Sequence, residues 1–339
     1  MIERAVVVGA GAVGRQAAQF LATSGAARSV VLVHRDHERT PPPRDGLAEG
    51  VELRRATLAD LPDGDVVVIA APGAGRRAAR RLVGRGRPLV FATDDPAEVR
   101  HLLALDGAAR DAGISMVLGA AMAPGLGCVL AAHLRRGFDR VEEVHVASVG
   151  TGGPACARRH HAALTAIALN WESGEWHRRP GGSGRELVWF PEPVGGADCY
   201  RAGLADPLLL VPAFPGIRRV TARLEATRRD RMTSWLPMMR RPHPEGLVGA
   251  VRVEVRGWVG GRAETRILGS AVRPATAAAA VASTAARWAA DGRLSRAGAG
   301  GLAEMIGSPG EFLRELRGLG VVVASFEGRD PYAPTGREV

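Results

Sequence analysis

The stretch Arg4-Ala5-Val6-Val7-Val8-Gly9-Ala10-Gly11-Ala12-Val13-Gly14 decides the fold. Its first five residues are a short apolar, β-branched run, the composition of a strand buried on both faces of a parallel sheet. The glycines follow at once, in the spacing G-x-G-x-x-G, and residues 16–23 then carry apolar residues at helical spacing. Gly25 ends that helix and residues 29–33 form a second strand. A strand, a glycine turn and a helix of this length make a Rossmann-type unit. Each glycine has a task in it. Gly9 permits the tight turn, Gly11 lets an anionic pyrophosphate reach bare backbone, and Gly14 lets helix and strand pack closely. The helix N-terminus, around Ala12 and Val13, offers free N–H groups and the positive end of its dipole to phosphate.

Outward from this unit the pattern repeats. The loop 40–50 is polar and proline-rich, and 51–53 is a short strand. Residues 65–71 are a strong buried strand stopped by Pro72 and Gly73. Residues 76–83 read as a helix, 88–92 as a strand, 96–112 as a helix and 114–118 as a strand. Alternating strands and helices predict a doubly wound parallel α/β sheet. A helix over 124–136 leads to a strand over 141–148. Residues 149–245 are rich in Gly, Pro, Trp and Arg and have weak periodicity. Residues 248–259 and 263–268 alternate as an antiparallel hairpin about Gly260 and Gly261. An alanine-rich helix over 275–290, a helix over 309–317 and a strand over 321–326 close the pattern. The expected organisation is a dinucleotide-binding domain over 1–125, an inserted mixed or antiparallel sheet domain over 126–272 for substrate or dimer contacts, and elements over 273–330 that return to the first.

Composition narrows the chemistry. The 339 residues are 46% hydrophobic and carry a formal net charge of +10, yet there is no lysine, so all 45 basic residues are arginine. That bias, with abundant Ala, Gly and Pro, reads as a GC-rich coding imprint rather than a nucleic-acid footprint; at 4% aromatics, stacking platforms are scarce. Without lysine there is no Schiff-base lysine, no P-loop lysine and no Tyr–Lys or Lys–His pair. Three scattered cysteines make no disulfide framework, and no window of 18 apolar residues suggests a membrane span. The expectations are a reducing cytoplasm, a small-molecule substrate, no nucleic-acid or membrane partner, and a homodimer.

The end of the second strand bears on the cofactor. NAD-binding turns place an acid about 20 residues past the glycines for the ribose hydroxyls. Here His34 takes that place and Arg35 follows, a guanidinium suited to a 2′-phosphate, so NADP is expected, with NAD through Asp36 the alternative. Further cofactor contacts are expected at the strand ends, from Ala70, Ala71, Pro72, Thr93, Asp94, Ala120 and Met122.

These motifs taken together resemble the saccharopine dehydrogenase/reductase-like oxidoreductases, which include homospermidine and carboxynorspermidine synthases. The resemblance rests on Gly9 to Gly14, on 65–72, on Ala109 to Gly113, and above all on Gly119-Ala120-Ala121-Met122-Ala123-Pro124-Gly125-Leu126, similar to the family passage G-x-G-x-x-P-G-L. It covers 1–135 well and 250–326 loosely, and 150–245 does not align. It implies a Rossmann domain, an inserted α/β domain, C-terminal elements that rejoin the first, and a helix after Pro124 whose N-terminus faces the nicotinamide and substrate. It implies no substrate, since the lysine-forming members use a Lys–His pair that this chain lacks.

The densest polar cluster is Gly150 to His161. Cys156 and His160, four apart, share one helix face. Three readings stay open: an acid/base histidine, His160 or His161; a zinc site of Cys156, His160 and a remote ligand, for which no second spaced pair appears, so no metal is expected; or structural histidines. Tyr200, after Glu192 and Asp198, is a further acid/base candidate, and the arginine pairs 158–159, 178–179, 218–219 and 240–241 are candidate anion anchors. The leading expectation is an NAD(P)-dependent oxidoreductase moving hydride to or from a C=O or C=N carbon of a small polar metabolite, in a biosynthetic role. Its rivals are a non-redox cyclase, isomerase or lyase that retains NAD(P), and a non-catalytic dinucleotide-binding protein.

Overall fold

A computed structural model describes residues 1–34, 48–238 and 241–326. Two sheets hold the chain. The first has seven parallel strands: β1 (Ile2–Val8), β2 (Ala27–His34), β3 (Val51–Arg55), β4 (Val66–Ile69), β5 (Leu89–Phe91), β6 (Ser115–Leu118) and, from far along the chain, β15 (Gly298–Gly301). Their order is β3-β2-β1-β4-β5-β6-β15. The order reverses at β1 and β4, and in such sheets the ligand crevice opens beyond the carboxyl ends of the strands at that reversal. β1 and β4 are valine- and isoleucine-rich, and Val6, Val7, Val66 and Val68 are buried, as strands covered on both faces require. The helices that join them are α1 (Ala12–Thr23), α2 (Gly75–Leu82), α3 (Pro96–Leu103) and α4 (Asp106–Asp111).

The second sheet has nine strands in mixed pairing. A central path runs β10 (Glu186–Trp189), β11 (Gly196–Arg201), β12 (Arg219–Glu225), β7 (Arg140–Val149), β13 (Gly249–Val259), β14 (Arg262–Val272) and β16 (Ala324–Ser325). β8 (Ala168–Glu172) and β9 (Glu175–Arg179) attach through β12. β12 runs parallel to β7, the others antiparallel, so the sheet is mixed as expected. Helix α5 (Leu126–Arg135) is buried all round and packs on β7, β13 and β14. α6 (Pro154–Ala163), α7 (Asp206–Leu210) and α8 (Arg228–Thr233) lie between strands of this half.

The chain then returns to the first sheet. α9 (Pro274–Ala290) packs along α1 and against β4 and β5, and its alanines permit that close approach. α10 (Leu302–Met305) and α11 (Pro309–Gly318) pack on α5. Trp288 of α9 is fully buried, lies edge-on to Phe312 of α11 at 5.1 Å, and donates to Glu315 at 2.8 Å.

Several boundaries differ from the sequence reading, three of them in ways that bear on the architecture. The helix expected over 96–112 breaks at Ala104–Leu105, because Asp106 accepts from Ala299 N at 2.8 Å and Arg296 at 3.0 Å and so ties α4 to β15. The helix expected from Pro124 begins at Leu126, since Gly125 holds φ +126° with no room for a side chain against Ala121. The last strand shrinks to two residues and does not return to the first domain as expected: it pairs with β14 at the edge of the second sheet.

Candidate functional site

The glycine turn joins β1 to α1 as the spacing predicts. Gly9 holds φ +111°, and a Cβ there would meet Ala71 N at 2.8 Å. A Cβ on Gly14 would lie 1.8 Å from the Gly9 carbonyl oxygen, so its bareness sets the helix–strand approach. Gly11 is different: a Cβ there meets nothing within 4 Å and faces open cavity. Gly11 is also the N-cap of α1, and no side chain caps that end nor does an acid occupy its first turn. The first N–H groups of the helix are thereby left as bare donors with positive potential. The residues present fit a dinucleotide pyrophosphate.

A cavity of about 1280 Å³ opens from this turn. Gly9, Gly11, Ala12, Val13, His34, Ala70, Ala71, Pro72, Thr93, Asp94 and Met122 all line it. Gly14 and Ala120 stand behind the wall; Ala120 is fully buried. Arg35 lies outside the described residues. The passage Gly119 to Leu126 forms a tight knot in the wall. Ala121 N donates to Pro124 O at 3.1 Å and Leu126 N to Ala121 O at 2.9 Å, while Ala121, Met122 and Ala123 face the cavity. A Cβ on Gly119 would strike Leu209 at 2.6 Å and Pro124 at 2.7 Å, which explains the glycine.

The opposite wall comes from the second half of the chain. Ser148, Gly150, Gly152 and Gly153 lead into α6, whose N-cap Gly153 is likewise bare. A Cβ on Gly153 would come within 3.7 Å of the Ala12 Cβ, so the N-termini of α1 and α6 approach each other closely. Pro274 and Ala278 of α9 complete the enclosure.

Within it lies a cluster built by two elements. Asp94 follows β5, and Cys156, Arg159 and His160 come from α6. The i, i+4 spacing brings Cys156 Sγ to 3.5 Å from His160 Nε2. His160 Nε2 lies 3.3 Å from Asp94 Oδ2, and the Cys156 thiol donates to the same oxygen at 3.6 Å. Arg159 Nε donates to Asp94 Oδ1. Burial opposes the charge on Asp94, yet Arg159 and His160 outweigh it and hold the carboxyl well below the usual carboxylate range. Burial likewise opposes an imidazolium at His160, but the Cys156 sulfur and Asp94 raise its pKa to about 10. Beside them Thr93 Oγ1 donates to Glu98 Oε2 at 2.6 Å, and Glu98 Oε1 accepts from Gly75 N at 2.8 Å, fixing the strand end that presents Asp94.

The other two acid/base candidates lie elsewhere. His161 points the opposite way from α6, where its Nε2 meets Thr233 O at 3.1 Å and Leu236 O at 3.2 Å. Tyr200 is 4% exposed in the core beneath β11 and β12, with Arg231 stacked 4.3 Å above its ring. Neither lines the cavity. Among the described residues of the arginine pairs, Arg158 and Arg159 reach it, and Arg158 is exposed there; Arg240 lies outside the described residues. Sequence reasoning placed Asp94 among the cofactor contacts and did not see it as the partner of α6. It missed Asp206 altogether.

Asp206 opens α7 fully buried, and its Oδ1 has no hydrogen-bond partner. Burial pushes its pKa up to about 6, with Asp94 adding to the rise and its own backbone N–H, Arg159 and His160 opposing it. The unfolded chain releases this proton near 3.8, so between pH 4 and 6 the folded state binds the proton that the unfolded state has lost. Stability contributed by this group therefore falls as pH rises across that window and stays low above it. Asp206→Asn is expected to raise stability by on the order of 2–3 kcal/mol at pH 8 and by little at pH 4, read from urea melts at the two pH values. An equal gain at both would show that the charge is not the cause.

No protein-family model matches the sequence, and no curated protein does. Solved structures do match the fold. Apo saccharopine dehydrogenase (L-Glu forming) from Saccharomyces cerevisiae aligns with a TM-score of 0.67 over 95% of this chain and 99% of that one, at 13% identity. At that identity the likeness establishes the fold: a Rossmann domain with a second, inserted sheet. A myo-inositol dehydrogenase from Corynebacterium glutamicum aligns over 96% of this chain and 99% of that one at 13% identity, with a TM-score of 0.46. A diaminopimelate (DAP) dehydrogenase from C. glutamicum, in complex with DAP, aligns over 91% and 95% at 15% identity, with a TM-score of 0.48.

Proposed function

We propose that this chain is an NAD(P)-dependent oxidoreductase that moves hydride between nicotinamide and a C=O or C=N carbon of a small polar metabolite, in a biosynthetic role. One observation carries the reading: a bare glycine turn at the strand-order reversal and a partly buried Asp94–Cys156–His160 cluster share one cavity. Bound in that cavity, a reduced dinucleotide supplies the hydride. Ala12 and Val13 N–H groups would hold the pyrophosphate, and the small residues Ala70, Ala71 and Ala121 leave room for flat rings. His160, whose Nε2 lies beside Asp94 and Cys156, would give a proton to the oxygen or nitrogen of the substrate. Arg158, exposed at the cavity, anchors a substrate carboxylate. The test is incubation with NADPH or NADH and a panel of keto acids and imines, followed at the nicotinamide absorbance. The reading expects substrate-dependent oxidation of the cofactor; retained cofactor without net turnover favours the non-redox rival.

NADP is the preferred cofactor in this proposal. His34 stands where NAD-binding turns carry an acid, and Arg77 and Arg81 of α2 line the cavity. The double variant Arg77→Ala/Arg81→Ala is expected to weaken NADPH about tenfold and NADH little, measured by fluorescence titration. Equal losses for both nucleotides, or tighter NADH binding by the parent protein, would defeat the preference.

A further inference from the structure

We infer that Asp94, Cys156 and His160 form a binding site for a divalent zinc-type cation, with the fourth coordination position open to the cleft. The inference rests on the oxidoreductase reading of this cavity for its function, and in the metal-bound form His160 Nε2 is a ligand, so the ion takes over the part of a protonated His160; metal uptake itself does not require that reading. A soft sulfur, a borderline imidazole nitrogen and a hard carboxylate oxygen are all donors that zinc accepts, and three protein ligands plus one open position is the arrangement of catalytic rather than structural zinc.

The geometry is the stronger argument. Tetrahedral zinc with bonds of about 2.3 Å to sulfur, 2.0–2.1 Å to nitrogen and 2.0 Å to oxygen sets its donors about 3.5 Å apart for S–N and S–O and about 3.3 Å for N–O. The observed edges are 3.5 Å for Cys156 Sγ to His160 Nε2, 3.6 Å for Cys156 Sγ to Asp94 Oδ2, and 3.3 Å for His160 Nε2 to Asp94 Oδ2. The triangle thus already has the dimensions of one face of a zinc tetrahedron. Asp94 engages Arg159 through Oδ1, which leaves Oδ2 for the ion and orients the carboxylate from behind. All three ligands line the cavity, so the fourth position faces substrate. There an ion would polarise a carbonyl oxygen, doing by Lewis acidity what a protonated His160 does by proton donation.

The helix spacing of Cys156 and His160 supplies two ligands from one element, and β5 supplies the third from 62 residues away. Among the described residues this is the group of three metal-ligating side chains whose donor atoms all lie within 4.8 Å of one another. Cys128 and Cys199 are buried and do not line the cavity, so a thiolate signal at this site can come from Cys156.

The test uses the full chain, stripped by chelator and titrated with cobalt(II) and no dinucleotide present. Expected are one equivalent bound, a sulfur-to-cobalt charge-transfer band, tetrahedral ligand-field bands, and displacement of cobalt by zinc. Cys156→Ser should lose the charge-transfer band, and Asp94→Asn and His160→Gln should each weaken binding at least about 100-fold, with folding checked by circular dichroism. Absence of any bound ion in the parent protein, or a charge-transfer band that survives Cys156→Ser, would overturn the site. Because no dinucleotide is present, failure here leaves the oxidoreductase reading standing, and failure of dinucleotide binding leaves the metal result to be read on its own.

Discussion

Gly11→Val is expected to abolish dinucleotide binding while leaving the protein folded. The reason lies in what surrounds each glycine of the turn. A side chain at Gly11 meets no protein atom within 4 Å, so the fold has room for it. The room is the cavity at the N-terminus of α1, where the pyrophosphate would sit against bare N–H groups. A valine there replaces the anion's space with methyl groups and should raise the Kd for NADPH by at least about 100-fold, since the phosphate contacts carry much of the affinity. The melting temperature should hardly move. Gly9→Val is the contrast: φ +111° and a backbone nitrogen 2.8 Å from the new Cβ make it a folding defect. If Gly11→Val binds NADPH as the parent does, the anion lies elsewhere.

His160→Gln is the second variant with a large expected effect. Glutamine fills much of the same space beside Asp94 and Cys156 but has no titratable proton to give the substrate. The turnover number should fall by about 10²- to 10⁴-fold with NADPH affinity unchanged. His161→Gln separates this from a structural defect. His161 donates toward the carbonyls of Thr233 and Leu236, so its loss should lower stability and leave turnover of the folded fraction intact. A fall in turnover with His161→Gln and none with His160→Gln would reverse the assignment of roles.

Much of the fold was legible because local chemistry dictated it. β1, the three glycines and α1 follow one another, and Gly9 at φ +111° holds a conformation that residues with a side chain rarely adopt. The β13–β14 hairpin turns at Gly260 and Gly261 as the alternation predicts, and Cys156 meets His160 because helix geometry alone puts residues four apart on one face. What was not legible depends on distant partners. β15 is Gly298-Ala299-Gly300-Gly301, a composition with poor strand propensity, and it is a strand because β6 pairs with it and Arg296 and Asp106 lock its edge. β8 to β12 are short and lie among prolines and arginines, so their period does not rise above the background. The pairing of Asp94 with α6 joins residues 62 apart, and no spacing rule announces it. Tyr200 was a candidate as one of only two phenols in the chain, yet β11 is covered on both faces at Cys199 and Tyr200, and Tyr200 packs in the core.

The account stands on the turn at Gly9 to Gly14 holding a dinucleotide, and calorimetric titration of the parent protein with NADPH tests that most directly. The predicted result is one molecule bound per chain with micromolar or tighter affinity, competed by NADP⁺ and lost in Gly11→Val. No heat and no saturation at millimolar NADPH and NADH alike would contradict it.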